Sequence, residues 1–300
     1  MREFLRFVKH TLLGMASIRH LGLVQAQTEY LLRETARLAA AERRAAWLAR
    51  RASSQGAQTK ASFDFQWEHM PTGRALPSDA AFMAGVEQQL VDMIQEPREW
   101  FAGQRVVDIG CGIGRYSYGL LSLGALVTSC DQSEAALRRT AELCRPFAER
   151  STLKRVDLLD WDEAGGYDLA FSFGVVHHTG NTYLAIDNVC RKVRPGGRLF
   201  LMIYGVPETR PAFLEVNEYE TIAGEIRDLS FDERKVFLER RFGADGAHGW
   251  FDATSPRIND RLAFEEIHDL LTELGFQKIR RVVVARNHQI VAERLPGPAA

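Results

Sequence analysis

Cysteine is scarce in this 300-residue chain, and the little there is shows no pattern. Cys111, Cys130, Cys144 and Cys190 form no C-x-x-C pair and no Cys/His cluster at zinc spacing, which argues against a disulfide framework or a structural metal. Small buried thiols in a reducing compartment fit instead, so a cytoplasmic location is expected and no metal ligand is assigned. No uncharged apolar run approaches the ~18 residues that a membrane-spanning helix needs. The opening residues, MREFLRFVKHTLLGMA, interleave charge with apolar side chains and lack the apolar core of a signal peptide. A surplus of charge is missing too: 38 Lys and Arg against 39 Asp and Glu leave a net −1, which excludes general affinity for nucleic acid. With 46% hydrophobic and 26% charged residues, a globular core of normal size is available.

The near-neutral total hides an asymmetry. Residues 1–60 hold 11 basic against 4 acidic residues, whereas 61–300 hold 27 against 35. Residues 1–52 read as almost wholly helical, interrupted at Gly14 and Gly22: Phe4, Leu5, Val8, Leu12 and Met15 share one face, and Leu31, Leu38 and Ala45 recur at heptad spacing. The expectation is an N-terminal helical extension over 1–60 that packs on the body or on a second protomer as a homodimer through 1–52. Peripheral membrane contact is its alternative. Residues 53–60 are polar and read as a hinge. Phe63, Phe65 and Trp67 come next, placed to act as core or as a lid.

From residue 80 onward the order becomes regular. Helices near 79–95, 114–123, 133–149 and 182–193 alternate with strands at 105–109, 126–130, 152–156, 167–173 and 198–204. Arg194-Pro195-Gly196-Gly197 reads as a helix stop and turn. Residues 206–262 break the rhythm with charged helical sequence and aromatics. A helix at 263–274, stopped by Gly275, precedes strands at 277–285 and 289–293 joined as a hairpin through Asn287-His288. Strand–helix alternation of this kind means βαβ units with right-handed crossovers, hence an α/β, doubly wound, mostly parallel sheet. The helical segment 206–262 is inserted on its substrate side, within a domain spanning 61–300.

The first strand carries the chemistry. Val106, Val107 and Ile109 form a short β-branched run that ends in Gly110, Gly112 and Gly114, with Asp108 inside the strand end. Three glycines in this spacing let the backbone approach a ligand closely. A phosphate is disfavoured there, because the Asp108 carboxylate repels it; a cationic or amine-bearing ligand is favoured. The dinucleotide fingerprint needs a glycine where Arg115 stands, and the G-x-x-x-x-G-K-[ST] phosphate loop is absent.

Asp108-x-Gly110-x-Gly112-x-Gly114 resembles motif I of the class I S-adenosylmethionine (SAM)-dependent methyltransferases. The residues at the later strand ends agree in chain order. Asp131 ends the second strand, where a carboxylate accepts hydrogen bonds from ribose hydroxyls in nucleotide-binding folds. The resemblance implies that Asp157 and Leu158 meet the adenine, with Asp160 as the competing acid, and that Phe173-Gly174 holds the methionine ammonium. Cys111 and Gln132 join the cofactor set beside them. It also implies seven strands in the order 3-2-1-4-5-7-6, SAM as cofactor, and a lid role for the aromatic segment before the first strand. It covers 80–205 and, more loosely, 263–293.

Methyl transfer from a sulfonium is an in-line displacement in which the enzyme positions two partners and removes a proton. Val175-Val176-His177-His178-Thr179 follows the fourth strand, and an imidazole can accept a hydroxyl proton at neutral pH. The resemblance favours His178 as the base over His177. In the insertion, Tyr219, Trp250 and Arg257 are the candidate acceptor contacts, with Glu218 and Phe251 beside them. No RNA-binding module, basic groove or Asn-Pro-Pro-Tyr-type amino-methylation motif is present, which favours a small-molecule or glycan hydroxyl as acceptor. Two other readings stay open: a non-catalytic SAM-binding partner subunit, and a SAM-fold enzyme with a different reaction.

Overall fold

The structure, a computed structural model, describes Val24, Gln27 and residues 54–70, 80–284 and 287–296. All but the first two belong to the unit Trp47–Ala300. The expected helices of 1–52, their breaks at Gly14 and Gly22, and the homodimer and membrane surfaces assigned to them lie outside the described residues.

A seven-stranded sheet forms the centre, in the order β3-β2-β1-β4-β5-β7-β6. Its strands are β1 (Arg105–Ile109), β2 (Leu126–Asp131), β3 (Ser151–Arg155), β4 (Tyr167–Phe173), β5 (Val193–Tyr204), β6 (Phe276–Val284) and β7 (Asn287–Arg294). The first five run parallel, and β7 lies antiparallel between β5 and β6. Strand order reverses at β1, which pairs with β2 on one side and β4 on the other. That reversal opens a crevice at the carboxyl ends of β1 and β4, where ligands of doubly wound sheets sit.

The helices are α1 (Ser54–His69), α2 (Ala80–Ile94), α3 (Arg115–Ser122), α4 (Glu134–Leu143), α5 (Thr182–Lys192), α6 (Arg210–Glu225), α7 (Phe231–Thr254) and α8 (Phe264–Glu273). On one sheet face, Val86 and Leu90 of α2 and Leu120 and Leu121 of α3 pack on Val106, Val127, Leu169 and Phe171. Phe171 and Phe200 stack at 4.8 Å between centroids. Burying side chains of this size stabilises by roughly 1.5–3 kcal/mol each, and this apolar sandwich fixes the strand ends from which the site projects. A second cluster joins the inserted helices: Ile222 and Ile226 meet Leu238, Ala247 and Phe251, with Phe65 of α1 packed against them.

Three sequence expectations need correction. The polar stretch 53–60 is not a hinge: α1 begins at Ser54 and runs through the boundary placed at residue 60. Its side chains are held by tertiary hydrogen bonds, which outweigh a polar composition that local reasoning assigns to a loop. The helix over 133–149 ends at Leu143, and a 3₁₀ segment with Pro146 covers Arg145–Arg150. Arg194–Gly197 is a bulge in β5 rather than a separating turn, since Val193 pairs with Tyr167 and Arg198 with Leu169.

Candidate active site

The loop after β1 turns on its glycines. Gly110 and Gly114 have φ of 72° and 85°, a region that costs other residues about 1–2 kcal/mol. Space matters as much as angle. A Cβ on Gly110 would collide with the Val175 side chain, and one on Gly114 would lie 2.8 Å from Thr140 Oγ1. Thr140 Oγ1 donates to the Gly112 carbonyl at 2.9 Å, which ties the loop to α4. The Gly110–Val175 approach places the loop after β4, with its two histidines, directly beside the loop after β1.

Two carboxylates lie beneath this loop. Asp108 is 2% exposed and accepts a hydrogen bond from Ser117 Oγ at 2.6 Å, which in turn accepts from Ser129 Oγ at 2.7 Å. Burial pushes its carboxyl up to about 7, against the opposing Ser117 hydrogen bond and reinforced by Asp131. Asp131 accepts the backbone N–H groups of Gly112 at 3.0 Å and Ser133 at 2.8 Å. Burial raises it to about 6, partly offset by those bonds, and the charge of Asp64 on α1 adds to the rise. Among the described residues neither acid has a salt-bridge partner. The Arg115 charge only weakly offsets the burial of Asp108, and buried carboxylates with no ion-pair partner suit a positively charged ligand, because such a ligand supplies counter-charge. Cys111 sits between them, but burial raises its thiol and leaves it inert.

The remaining cofactor candidates occupy the neighbouring strand ends. Gln132 follows Asp131, and its carbonyl accepts from Arg155 Nε at 3.3 Å. Asp157 is exposed at the end of β3 and accepts the Leu159 N–H at 3.0 Å, while Leu158 is buried and its carbonyl accepts from Asn188 at 2.9 Å. Asp160 is exposed one turn on, so both acids are accessible. Gly174 donates to the Met202 carbonyl at 3.1 Å, and Phe173 packs on Tyr116 with centroids 4.9 Å apart.

His177 and His178 are both buried, in a 3₁₀ turn after β4. His178 Nδ1 faces the Ile258 carbonyl at 2.8 Å. A carbonyl only accepts, so Nδ1 carries the proton and Nε2 keeps its lone pair. That Nε2 is buried with no partner. Burial lowers the imidazole to about 4, so it stays neutral over the physiological range. His177 is arranged oppositely. Its Nδ1 accepts the Tyr204 backbone N–H at 3.4 Å, leaving Nε2 as an unpartnered N–H donor. Its ring stacks on Tyr204 at 3.9 Å, and burial drives its pKa down as well.

The roof over this region comes from α1 and α7. Phe63 packs edge-on against His178 at 4.9 Å, and a Cβ on Gly112 would lie 3.1 Å from the Trp67 ring. Phe65 points elsewhere, stacked on Phe251 at 5.7 Å. The aromatic segment thus splits, with Phe65 in the core and Phe63 and Trp67 over the crevice. Gln66 bonds His248 Nε2 at 3.1 Å, and Tyr204 donates to Asp252 Oδ2 at 3.5 Å. Burial raises Asp252 to about 6, opposed by hydrogen bonds from Tyr204 and Gln66. Sequence pattern does not single out Gln66, His248, Tyr204 or Asp252 as site residues. The one signal for them was the i, i+4 spacing of His248 and Asp252, which puts both on one helix face.

The three acceptor candidates of the insertion land away from these groups. Trp250 stacks on Phe242 at 4.0 Å and meets Tyr219 at 4.5 Å, joining the cluster between α6 and α7. Phe251 is fully buried in that cluster, and Glu218 lies one residue before Tyr219 on α6. Arg257 is exposed; its guanidinium donates to the Arg227 carbonyl at 2.7 Å and its N–H donates to Thr59 Oγ1 at 3.1 Å.

Residues 107–199 match the family model described as a methyltransferase domain. This segment is therefore similar to methyltransferase domains. The chain is 33% identical over 99 residues to the ubiquinone biosynthesis O-methyltransferase of Agrobacterium fabrum, covering 33% of this chain and 40% of that protein. It is 31% identical over 102 residues to the enzyme of the same description from Dechloromonas aromatica, covering 33% of this chain and 44% of that protein. The chain thus spans less than half the length of these curated relatives. Among solved structures, magnesium protoporphyrin IX methyltransferase from Synechocystis PCC 6803 with bound SAM aligns over 79% of this chain and 97% of that one, at 16% identity and a TM-score of 0.48. The matched segment contains the glycine loop, Asp108, Asp131 and both histidines; the roof of α1 and α7 lies outside it.

Proposed function

We propose that the chain transfers a methyl group from SAM to a hydroxyl oxygen of a small-molecule acceptor, with His178 as the general base. SAM supplies a methyl group on a positively charged sulfur and brings an ammonium and a ribose. Asp108 and the Gly110–Gly114 loop would hold its cationic amino-acid end, Asp131 its ribose, and Asp157 with Leu158 its adenine. The proton lost by the acceptor oxygen passes to His178 Nε2, while the Ile258 carbonyl holds the opposite side of the ring through Nδ1–H. The observation that carries this reading is the unpartnered Nε2 of His178, fixed in its accepting tautomer on the loop that Val175 packs against Gly110. Relatives described as O-methyltransferases support an oxygen acceptor. A cytoplasmic place of action goes with this reading: all four cysteines are free, and no described helix is long and apolar enough to cross a membrane.

Replacing His178 with Ala tests it. Turnover is expected to fall about 10²–10⁴-fold while SAM affinity by calorimetry changes less than about twofold. Unchanged turnover removes His178 as the base. Wild-type protein that binds SAM but methylates nothing favours the partner-subunit reading instead.

A further inference from the structure

A helix that roofs a protein core normally buries an apolar stripe. The buried residues of α1 are Thr59, Ser62 and Gln66. Thr59 is accounted for, since its hydroxyl accepts the N–H groups of Arg257 and Ile258, both at 3.1 Å. The other two are not: Ser62 Oγ and Gln66 Oε1 are buried without a partner, as are His177 Nε2 and His178 Nε2. Ser62 and Gln66 are both 0% exposed. Leaving a buried polar group unmatched costs about 1–3 kcal/mol, so several in one place point to a ligand that completes them.

These atoms belong to one connected region. Ser62 and Gln66 lie one turn apart on the buried face of α1, whose Phe63 ring meets His178. His178 lies 4.1 Å from His177 between centroids, and His177 stacks on Tyr204. Tyr204 and Gln66 both reach Asp252. The set mixes acceptors (Gln66 Oε1, His178 Nε2, the Asp252 carboxylate) with donors (His177 Nε2–H, the Ser62 hydroxyl). Charge restricts the ligand further. The Arg261 guanidinium sits 5.1 Å over the Tyr204 ring and depresses both histidines, which disfavours an ammonium. Asp252, together with Asp64 near Asp131, disfavours a carboxylate or phosphate.

We propose that the acceptor is a neutral, polyhydroxylated molecule, with one hydroxyl at His178 Nε2 and neighbouring hydroxyls bound by Ser62, Gln66 and Asp252. Each hydroxyl both donates and accepts, which is what a mixed set of orphaned groups requires. An apolar monohydroxylated acceptor would leave Ser62, Gln66 and His177 unpaired. This inference rests on the methyl-transfer reading above.

The test uses the full-length protein, SAM carrying an isotopically labelled methyl group, and a cell extract split into neutral hydrophilic, apolar, anionic and cationic fractions. Label is expected in a product of the neutral hydrophilic fraction. For that product, Ser62→Ala and Gln66→Leu should each raise the acceptor KM about tenfold and leave SAM affinity unchanged; Ser62→Ala should leave Tm equal or higher, whereas Gln66→Leu, which also loses the bonds to His248, should lower it. Label in the apolar, anionic or cationic fraction overturns the inference while leaving methyl transfer intact. So does an acceptor KM that neither variant moves. A Tm drop in Ser62→Ala without a change in acceptor KM assigns the hydroxyl to folding and also overturns it. SAM binding with no label in any fraction overturns the methyl-transfer reading, and this inference with it.

Discussion

Asp108 shows what burying a carboxylate does to stability. Its folded carboxyl titrates near 7, above the unfolded value of 3.8. Between those values the folded state binds the proton more tightly, so stability falls as pH rises from about 4 to 7 and the loss is complete above 7. Asp108→Asn removes the charge and leaves an oxygen for Ser117 Oγ. The variant should match wild type near pH 4 and exceed it by up to about 4 kcal/mol near pH 8, measured by denaturant unfolding without cofactor. It should also bind SAM more weakly, because the counter-charge is gone. His178 titrates the other way. With its pKa lowered to about 4, it stays unprotonated well below the 6.5 of a free imidazole. At saturating SAM and acceptor, kcat should therefore stay flat from pH 8 to about pH 5, and a rate profile that falls near 6.5 contradicts the buried, neutral base.

Among the elements, α1 joins the two halves of the site. Thr59 anchors it to Arg257 and Ile258, and Gln58 adds hydrogen bonds to the Ser255 carbonyl and the Arg257 N–H, each at 2.9 Å. The Ile258 carbonyl then fixes the His178 tautomer, so α1 orients the proposed base through that carbonyl as well as through the Phe63 ring packed on it. Thr59→Val, which keeps shape and removes the acceptor, should destabilise by about 1–3 kcal/mol and lower kcat more than it weakens SAM binding. Steady-state kinetics with calorimetry separates the two effects. The elements also show what a sequence makes legible. β1 is readable because Val106, Val107 and Ile109 form a buried β-branched run that ends abruptly in glycine. The alternation of strands and helices around it, with Asp131, Phe173 and His178 at the strand ends, is readable for the same reason. α1 is not, because its buried face is polar and its helix is secured by partners some 200 residues away. Asp252 and His248 escape notice because single charged residues in a charged helix carry no pattern until Gln66 and Tyr204 meet them. Trp250 drew attention as an aromatic, yet its ring closes the α6–α7 cluster.

The whole molecule divides its work along the sheet. The matched segment 107–199 supplies the loops after β1, β2 and β4, which lie together because strand order reverses at β1. The segments that roof the crevice come from outside it: α1 before the sheet begins, and α7 with the Ser255–Ile258 stretch between β5 and β6. One fold serves many reactions when a common set of strand-end loops is joined to segments that differ between proteins. The proposed function rests on Asp108 as the counter-charge for the cationic end of SAM beneath the glycine loop, with Asp131 at the ribose. It is tested most directly by titrating the protein with SAM calorimetrically near pH 7 in two buffers of different ionisation enthalpy. A bound cation favours the ionised carboxylates, so binding should release protons, and Asp108→Asn should release fewer. No binding, or binding with the same proton count in wild type and variant, would contradict it.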